Sequence, residues 1–125
     1  MRDHTKLRAF QLADELVLET YRNTARFPKA EQFALTSQIR RAAVSVPSNI
    51  VEGCARDTQT DYVRFLIIAH GSAMELQYQI TLAQRLGYLG KRSAEALYTS
   101  ATSVCKVLNA LIRSLRKRQY PKPKA

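Results

Sequence analysis

The chain has little of what cross-links or strongly constrains a small protein. Its 125 residues include two cysteines, two histidines, four glycines, four prolines and no tryptophan. Cys54 and Cys105 form no Cys-x-x-Cys motif, and each has apolar neighbours, where a free cysteine behaves as a small hydrophobic residue. The spacing leaves a disulfide between them open, but two isolated thiols favour a reducing cytoplasm. Because no low-complexity tract occurs, we expect disorder at the termini alone.

Long apolar runs are also missing. The longest uncharged apolar run, residues 65–74, is too short to cross a bilayer as a helix. The N-terminal stretch does not resemble a secretory signal, because it contains Arg2, Asp3, Lys6, Arg8, Asp14 and Glu15. We therefore expect a soluble cytoplasmic protein that makes no membrane contact.

Acidic residues are few relative to basic ones. Twenty Lys and Arg face ten Asp and Glu, for a formal net charge of +10. This excess favours a polyanionic partner such as nucleic acid, although charge can also serve solubility alone. Six cations gather near the C-terminus: Arg113, Arg116, Lys117, Arg118, Lys122 and Lys124. We assign residues 1–118 to one domain and residues 119–125 to a basic flexible tail.

Apolar residues recur at three- and four-residue steps in four segments, which predicts amphipathic helices over residues 7–26, 31–54, 58–86 and 93–118. Thr58 is the expected cap of the third helix, and Gly87 supplies its left-handed stop. Pro47 lies inside the second helix, where proline removes a backbone donor and kinks the helix. With short connections, this pattern predicts an all-α, antiparallel up-and-down four-helix bundle with a proline-kinked second helix.

The third helix carries a second apolar strip beside its core face. The strip consists of Val63, Ile67, Met74 and Tyr78. Scattered surface hydrophobic residues are normal, but four in register indicate contact with another subunit. Two different contact faces on one protomer suit a ring-like homo-oligomer with head-to-tail contacts.

Motifs for catalysis or metal binding are lacking. Bundle metal sites use Glu-x-x-His pairs, whereas Glu75 is followed three positions later by Tyr78, and His70 has no Glu three positions before it. The sequence contains no nucleophile elbow, P-loop or Gly-x-Gly-x-x-Gly motif. We expect no enzyme activity, no cofactor and no metal.

A polar stripe accompanies Pro47 and has two interpretations. Its candidate members on the second and third helices are Ser45, Asn49, Glu52, Ser72 and Glu75. In the favoured interpretation they satisfy backbone groups freed by the proline and fix the register of the bundle. In the alternative they converge on a pocket for a small ligand, a nucleotide or a cryptic activity.

Phosphate contacts are expected from cations on two helices. The candidates are Arg40, Arg41, Arg113, Arg116, Lys117 and Arg118. Such contacts give affinity with little sequence selectivity. Aromatic residues for base stacking are scarce outside the apolar faces, with Tyr120 the obvious exposed candidate, so readout of single-strand bases is not expected.

One segment resembles the signature of a known family. Residues 33–53, FALTSQIRRAAVSVPSNIVEG, resemble that of the four-helix-bundle family called the 23S ribosomal RNA intervening-sequence proteins. Further matches are Phe65-Leu66, residues 69–76 (AHGSAMEL) and Leu86-Gly87. The resemblance covers nearly the whole chain, and the extended basic tail is the one clear departure.

The resemblance implies a fold, an assembly and a class of partner. It implies an up-and-down four-helix protomer and a ring-shaped homopentamer. It is shared with accessory bundle proteins of diversity-generating retroelements, which use a basic surface to bind nucleic acid and a reverse transcriptase. It also marks family hallmarks, which we interpret as structural: Ser45, Asn49, Glu52, Gly53, Ser72 and Glu75.

Together these observations predict a non-enzymatic, oligomeric bundle that binds RNA or DNA through a basic surface with little sequence specificity. The alternative is a scaffold or adaptor for a protein, for example a reverse transcriptase or a ribonucleoprotein, whose charge serves solubility only.

Overall fold

The computed structural model describes residues 2–119 and is helical, with no strand in that part of the chain. Its four helices are Arg8–Thr24 (α1), Leu35–Cys54 (α2), Gln59–Arg85 (α3) and Lys91–Gln119 (α4). Short 3-10 turns, His4–Lys6 and Lys29–Glu31, precede α1 and α2. The four helices predicted from apolar spacing are therefore confirmed.

The start of α2 is the largest departure from the predicted helix boundaries. The periodic pattern places it at residue 31, but the helix begins at Leu35. Ala34 has non-helical torsion angles, with φ −123° and ψ −108°, so the chain bends between the 3-10 turn and the helix. Consequently Phe33 lies in the connection that precedes α2. At the other end of the chain, Gln119 belongs to α4, so only residues 120–125 of the predicted tail lie outside the described residues.

The helices surround one core. α2 packs on α3, α3 on α4, and α1 on both α2 and α4. Each helix contributes fully buried side chains to this core, among them Leu16, Ile39, Leu66 and Leu108. Burial of a large aliphatic side chain contributes about 1.5–3 kcal/mol. The buried apolar faces of the four helices are therefore the main source of stability.

Local signals set the ends of α3. The Thr58 hydroxyl accepts a hydrogen bond from the backbone N–H of Asp61 at 3.1 Å, as a cap of a helix N-terminus does. Gly87 follows the helix with φ +82°, the left-handed conformation that glycine adopts at low cost. Both predicted boundary signals are confirmed. Pro47 lies within α2, which continues without interruption to Cys54.

No helix within residues 2–119 is long and apolar enough to span a membrane.

Candidate functional site

The last turns of α4 carry a dense group of cations, which we call the α4 basic end. It consists of Arg113, Arg116, Lys117 and Arg118, and all four side chains are exposed. None of them forms an ion pair with an acidic side chain among the described residues. Interaction with the helix dipole does not account for four cations, since each cation at a helix C-terminus contributes only about 0.3–1 kcal/mol of stability. The α4 basic end is therefore available to bind an external anion.

The start of α3 adds one further cation, Arg64, beside this end. The Gln59 side chain donates to the carbonyl of Leu115 at 3.2 Å, which fixes the two helix termini together. Arg64 and Arg116 line a shared cleft of about 310 Å³, whose floor includes Ile67. Arg64 lies over the ring of Phe65 at 4.8 Å, and it makes only a long, exposed ion pair of 3.7 Å with Asp61. Sequence reasoning did not select Arg64, because only the packing of α3 on α4 places it next to Arg116.

Arg40 and Arg41 do not join the α4 basic end. Ser45 of α2 lies level with Ser72 of α3, whereas the end of α4 lies level with Thr60. Roughly a dozen residues of α3 separate these two levels, which corresponds to about 18 Å along a helix. The predicted phosphate contacts therefore form two groups at different heights of the bundle.

Arg40 is also committed to contacts within the protomer. Its Nε donates to the Thr24 hydroxyl at 2.9 Å, and its guanidinium carbon lies 4.5 Å from the ring centroid of Tyr21. Arg41 is exposed and makes no ion pair with another described residue. Of these two arginines, Arg41 is the one with its whole guanidinium available.

The predicted polar cluster is only partly assembled. The hydroxyls of Ser45 and Ser72 are 2.8 Å apart and join α2 to α3. The Asn49 amide donates to the Ser45 carbonyl at 2.8 Å and to its hydroxyl at 3.0 Å. Proline has no N–H, so Pro47 leaves the carbonyl of Ala43 without its usual helical donor. The Asn49 amide does not donate to that carbonyl. The three side chains thus form one hydrogen-bonded unit across the helix contact.

The two glutamates predicted for that cluster lie apart from it. Glu52 pairs with Arg56 at the exposed end of α2. Glu75 is exposed and accepts from the Gln79 side chain at 3.1 Å. An open cleft of about 430 Å³ brings Glu75 near Ser45, Ser72 and Arg41, but Glu52 is not part of it. The arrangement suits a structural link between helices, and it does not gather the five groups around one ligand.

Three of the four residues of the predicted apolar strip are exposed. Ile67, Met74 and Tyr78 expose 41%, 51% and 58% of their surface. Val63 departs from the prediction, because it is only 5% exposed and packs in the core of its own protomer. Gly71 lies between the exposed members, and a Cβ atom added there would meet nothing within 4 Å. We call Ile67, Gly71, Met74 and Tyr78 the α3 strip.

The cysteines lie among buried groups as free thiols. Burial raises the pKa of both Cys54 and Cys105, which lowers their thiolate fraction and their reactivity. Burial also raises the pKa of Tyr62 to about 12, and the adjacent Cys54 adds to the rise. Arg2 covers the Tyr62 ring at 4.1 Å from its centroid and so closes this end of the core.

A cleft at the start of α2 was not foreseen. It has a volume of about 610 Å³, and we call it the α2 cleft; its lining includes Tyr21, Phe33, Thr36, Ser37, Arg40 and Arg41. Phe33 is 90% exposed, more than any other large hydrophobic side chain among the described residues. A signal for its exposure exists in the sequence, since Phe33 is out of phase with the core positions Leu35 and Ile39.

Groups of three or more His, Cys, Asp or Glu side chains that could hold a metal ion do not occur within residues 2–119.

Comparisons with known proteins address the family and the fold. No curated protein matches the chain. The structure is similar to the crystal structure of a protein of unknown function, from the S23 ribosomal protein family, of Bacteroides thetaiotaomicron. That similarity has a TM-score of 0.76 at 23% sequence identity, and it covers 84% of this chain and 98% of the other. The model of the 23S rRNA-intervening sequence protein family matches residues 5–110. With four helices in the expected positions and a family match over most of its length, the chain belongs to the 23S rRNA-intervening sequence protein family.

Proposed function

We propose that this chain is a non-enzymatic, oligomeric, cytoplasmic protein that binds RNA or DNA through the α4 basic end. The observation that carries the proposal is the exposure of Arg113, Arg116, Lys117 and Arg118 without ion pairs to described residues. The net charge of +10 adds a long-range attraction for polyanions.

The geometry of these cations favours backbone contact over base readout. The cations lie around the end of α4, which α3 covers on one side. Their long, flexible side chains can reach phosphates at different spacings. Phosphate contacts position a nucleic acid without reading its sequence. We therefore expect similar affinities for unrelated sequences and a strong dependence of affinity on salt.

The proposal includes an antiparallel, up-and-down arrangement of the helices with a kink at Pro47. Contacts between neighbouring helices support the antiparallel arrangement. Along α2 and α3, Ser45 faces Ser72 and Gly53 approaches Tyr62, so positions that rise on one helix fall on the other. Gln77 and Thr102 link α3 to α4 in the same sense as Gln59 and Leu115 do near the other end.

The proposal also includes a ring-like homo-oligomer, pentameric by resemblance to the family. The α3 strip supports self-association, because Ile67, Met74 and Tyr78 form one exposed apolar surface around Gly71. Glycine in the interior of a helix costs about 1 kcal/mol relative to alanine, and the protomer gains no contact from it. Close approach of a second copy gives this glycine a role. Assembly would repeat the α4 basic end and raise its avidity.

The experiment is a salt titration of binding to a fluorescent 20-base-pair RNA or DNA duplex, followed by anisotropy. Four phosphate contacts predict a loss of affinity of about 100-fold between 50 and 200 mM monovalent salt. Replacing the α4 basic end by alanine should remove most of this dependence. A matched control neutralises four exposed cations elsewhere on the protomer, namely Arg8, Arg26, Lys29 and Lys106.

The control variant should retain most of the affinity of the wild type, although its net charge equals that of the variant that lacks the α4 basic end. Equal losses in the two variants would show that total charge acts and that no defined site exists. Absence of any salt-dependent binding by the wild type contradicts the proposal. Nuclease-resistant co-purification of a defined protein would in that case support the scaffold or adaptor function.

A further inference from the structure

The α2 cleft combines an exposed aromatic surface with a positive one. Phe33 is 90% exposed and Tyr21 is 43% exposed, and both line the cleft beside Arg40 and Arg41. The Arg40 guanidinium lies over the Tyr21 ring, 4.5 Å from its centroid, so one side of the cleft combines an aromatic ring with a guanidinium group. Nucleic-acid bases stack on such surfaces when they are unpaired.

The start of α2 supplies backbone donors at the same place. Its cap residue is Ala34, which makes no side-chain hydrogen bond, and no acidic residue occupies the first turn. Within residues 2–119, no group accepts a hydrogen bond from the backbone N–H of Leu35, Thr36 or Ser37. Free N–H groups at a helix N-terminus bind anions, and phosphate above all.

A buried hydroxyl without a partner is an independent sign of a missing ligand. Thr36 is only 8% exposed and lines the α2 cleft, and its Oγ1 atom has no hydrogen-bond partner among the described residues. Buried polar groups in folded proteins are nearly always paired, because an unpaired one loses its hydration without replacement. An oxygen atom of a ligand in the cleft would give Thr36 that partner.

The charge of the cleft decides between a nucleotide and an apolar face of another protein. No carboxylate is among its lining residues, whereas two guanidinium groups are. An apolar partner surface would cover Phe33 but would leave Arg41 and the free N–H groups of α2 without counter-charge. A nucleotide supplies both a base for Phe33 and a phosphate for the cations.

We propose that the α2 cleft binds an unpaired nucleotide of a single-stranded nucleic acid, with the base stacked on Phe33 and the phosphate held by Arg41 and the start of α2. The inference rests on the proposed function, in which the α4 basic end holds the same polyanion more than about 18 Å away along the bundle. It adds a preference for unpaired bases, which the cations of α4 do not provide.

The test compares two fluorescent oligonucleotides of 15 units in an anisotropy titration at fixed salt. One is oligothymidine, and the other is an abasic strand with the same number of phosphates. The wild type should bind oligothymidine about tenfold more tightly, as one stacked base predicts. Phe33→Ala should abolish this difference, whereas Phe33→Tyr should keep it. Arg41→Ala should weaken binding of both strands.

Tyr98→Ala is the matched control, because Tyr98 is 40% exposed on α4 and does not line the α2 cleft. It should leave the tenfold difference unchanged. Thermal unfolding of each variant checks the fold, which Phe33→Ala should not affect since the side chain is exposed.

The possible failures are distinct. Equal, salt-dependent binding of both strands by the wild type overturns this inference and leaves the proposed function intact. Absence of binding to either strand overturns both. If Phe33→Ala preserves the tenfold difference but lowers the mass measured by light scattering, the cleft is a contact between subunits and the inference is wrong.

Discussion

Gly53 lies where α2 approaches α3, and its replacement by alanine is the sharpest test of the packing. A Cβ atom at this position would lie 3.0 Å from Cβ of Phe65, 3.2 Å from Cδ1 of Tyr62 and 3.3 Å from the Tyr62 carbonyl oxygen. Carbon atoms in favourable contact are about 3.5–4.0 Å apart. Two of these neighbours are a backbone atom and a Cβ fixed to the backbone, so relief requires the two helices to move apart.

The size of the effect follows from two opposing contributions. Overpacking a close contact costs about 1–3 kcal/mol. Alanine offsets about 1 kcal/mol of this, because it favours the helix over glycine. We therefore expect Gly53→Ala to lower the free energy of unfolding by about 1 kcal/mol. For a domain of this length, that corresponds to a decrease in Tm of about 4 °C.

Thermal and urea unfolding followed by circular dichroism measure the change. Ala110→Gly is the matched control, since Ala110 is exposed on α4 and reports the same propensity difference without the contact. It should cost about 1 kcal/mol. If Gly53→Ala unfolds at or above the Tm of the wild type, the close approach of α2 to α3 does not constrain position 53, and the reasoning is refuted.

Met74→Glu should convert the proposed oligomer to smaller species in light scattering while the fold persists, because Met74 is 51% exposed; an unchanged mass contradicts the proposed role of the α3 strip. Tyr62 is buried with its pKa raised to about 12, above the ordinary value near 10, so its contribution is complete below pH 10 and is lost as pH rises toward 12. Between pH 10 and 12 the free energy of unfolding of Tyr62→Phe, measured by urea titration, should fall by on the order of 2–3 kcal/mol less than that of the wild type. Equal decreases in the two proteins contradict the assignment. Thr58→Ala should cost about 1 kcal/mol in thermal unfolding through loss of the bond to the Asp61 N–H, whereas Thr58→Ser should not.

Helix boundaries show how far local patterns extend. Thr58 and Gly87 act within a few residues, so their roles at the ends of α3 are confirmed by the hydrogen bond of the one and the positive φ of the other. The start of α2 escaped prediction, because apolar periodicity continues through residues that instead form a 3-10 turn and a bend at Ala34. Phe33 lies in this connection, and its position out of phase with Leu35 and Ile39 keeps it off the core face.

The two sets of candidate residues differ in the same way. Ser45, Asn49 and Ser72 meet because two positions four residues apart on α2 face one position on α3. Glu52 lies at the same helical spacing, but Arg56, just beyond the end of α2, pairs with it at the exposed surface. Val63 shares the phase of the exposed strip, yet the packing at the start of α3 buries it.

The sequence by itself determined the number and approximate positions of the helices, which faces are apolar and to which family the chain belongs. These properties depend on neighbours three or four positions apart and on motifs that are contiguous. Tertiary structure alone decided which cations share a surface. It brought Arg64 beside Arg116 and placed Arg41 at a different height, next to Phe33 and the open start of α2. The physical reason is that charge and aromatic surface act through space, and the distance between residues on different helices is set by how those helices pack.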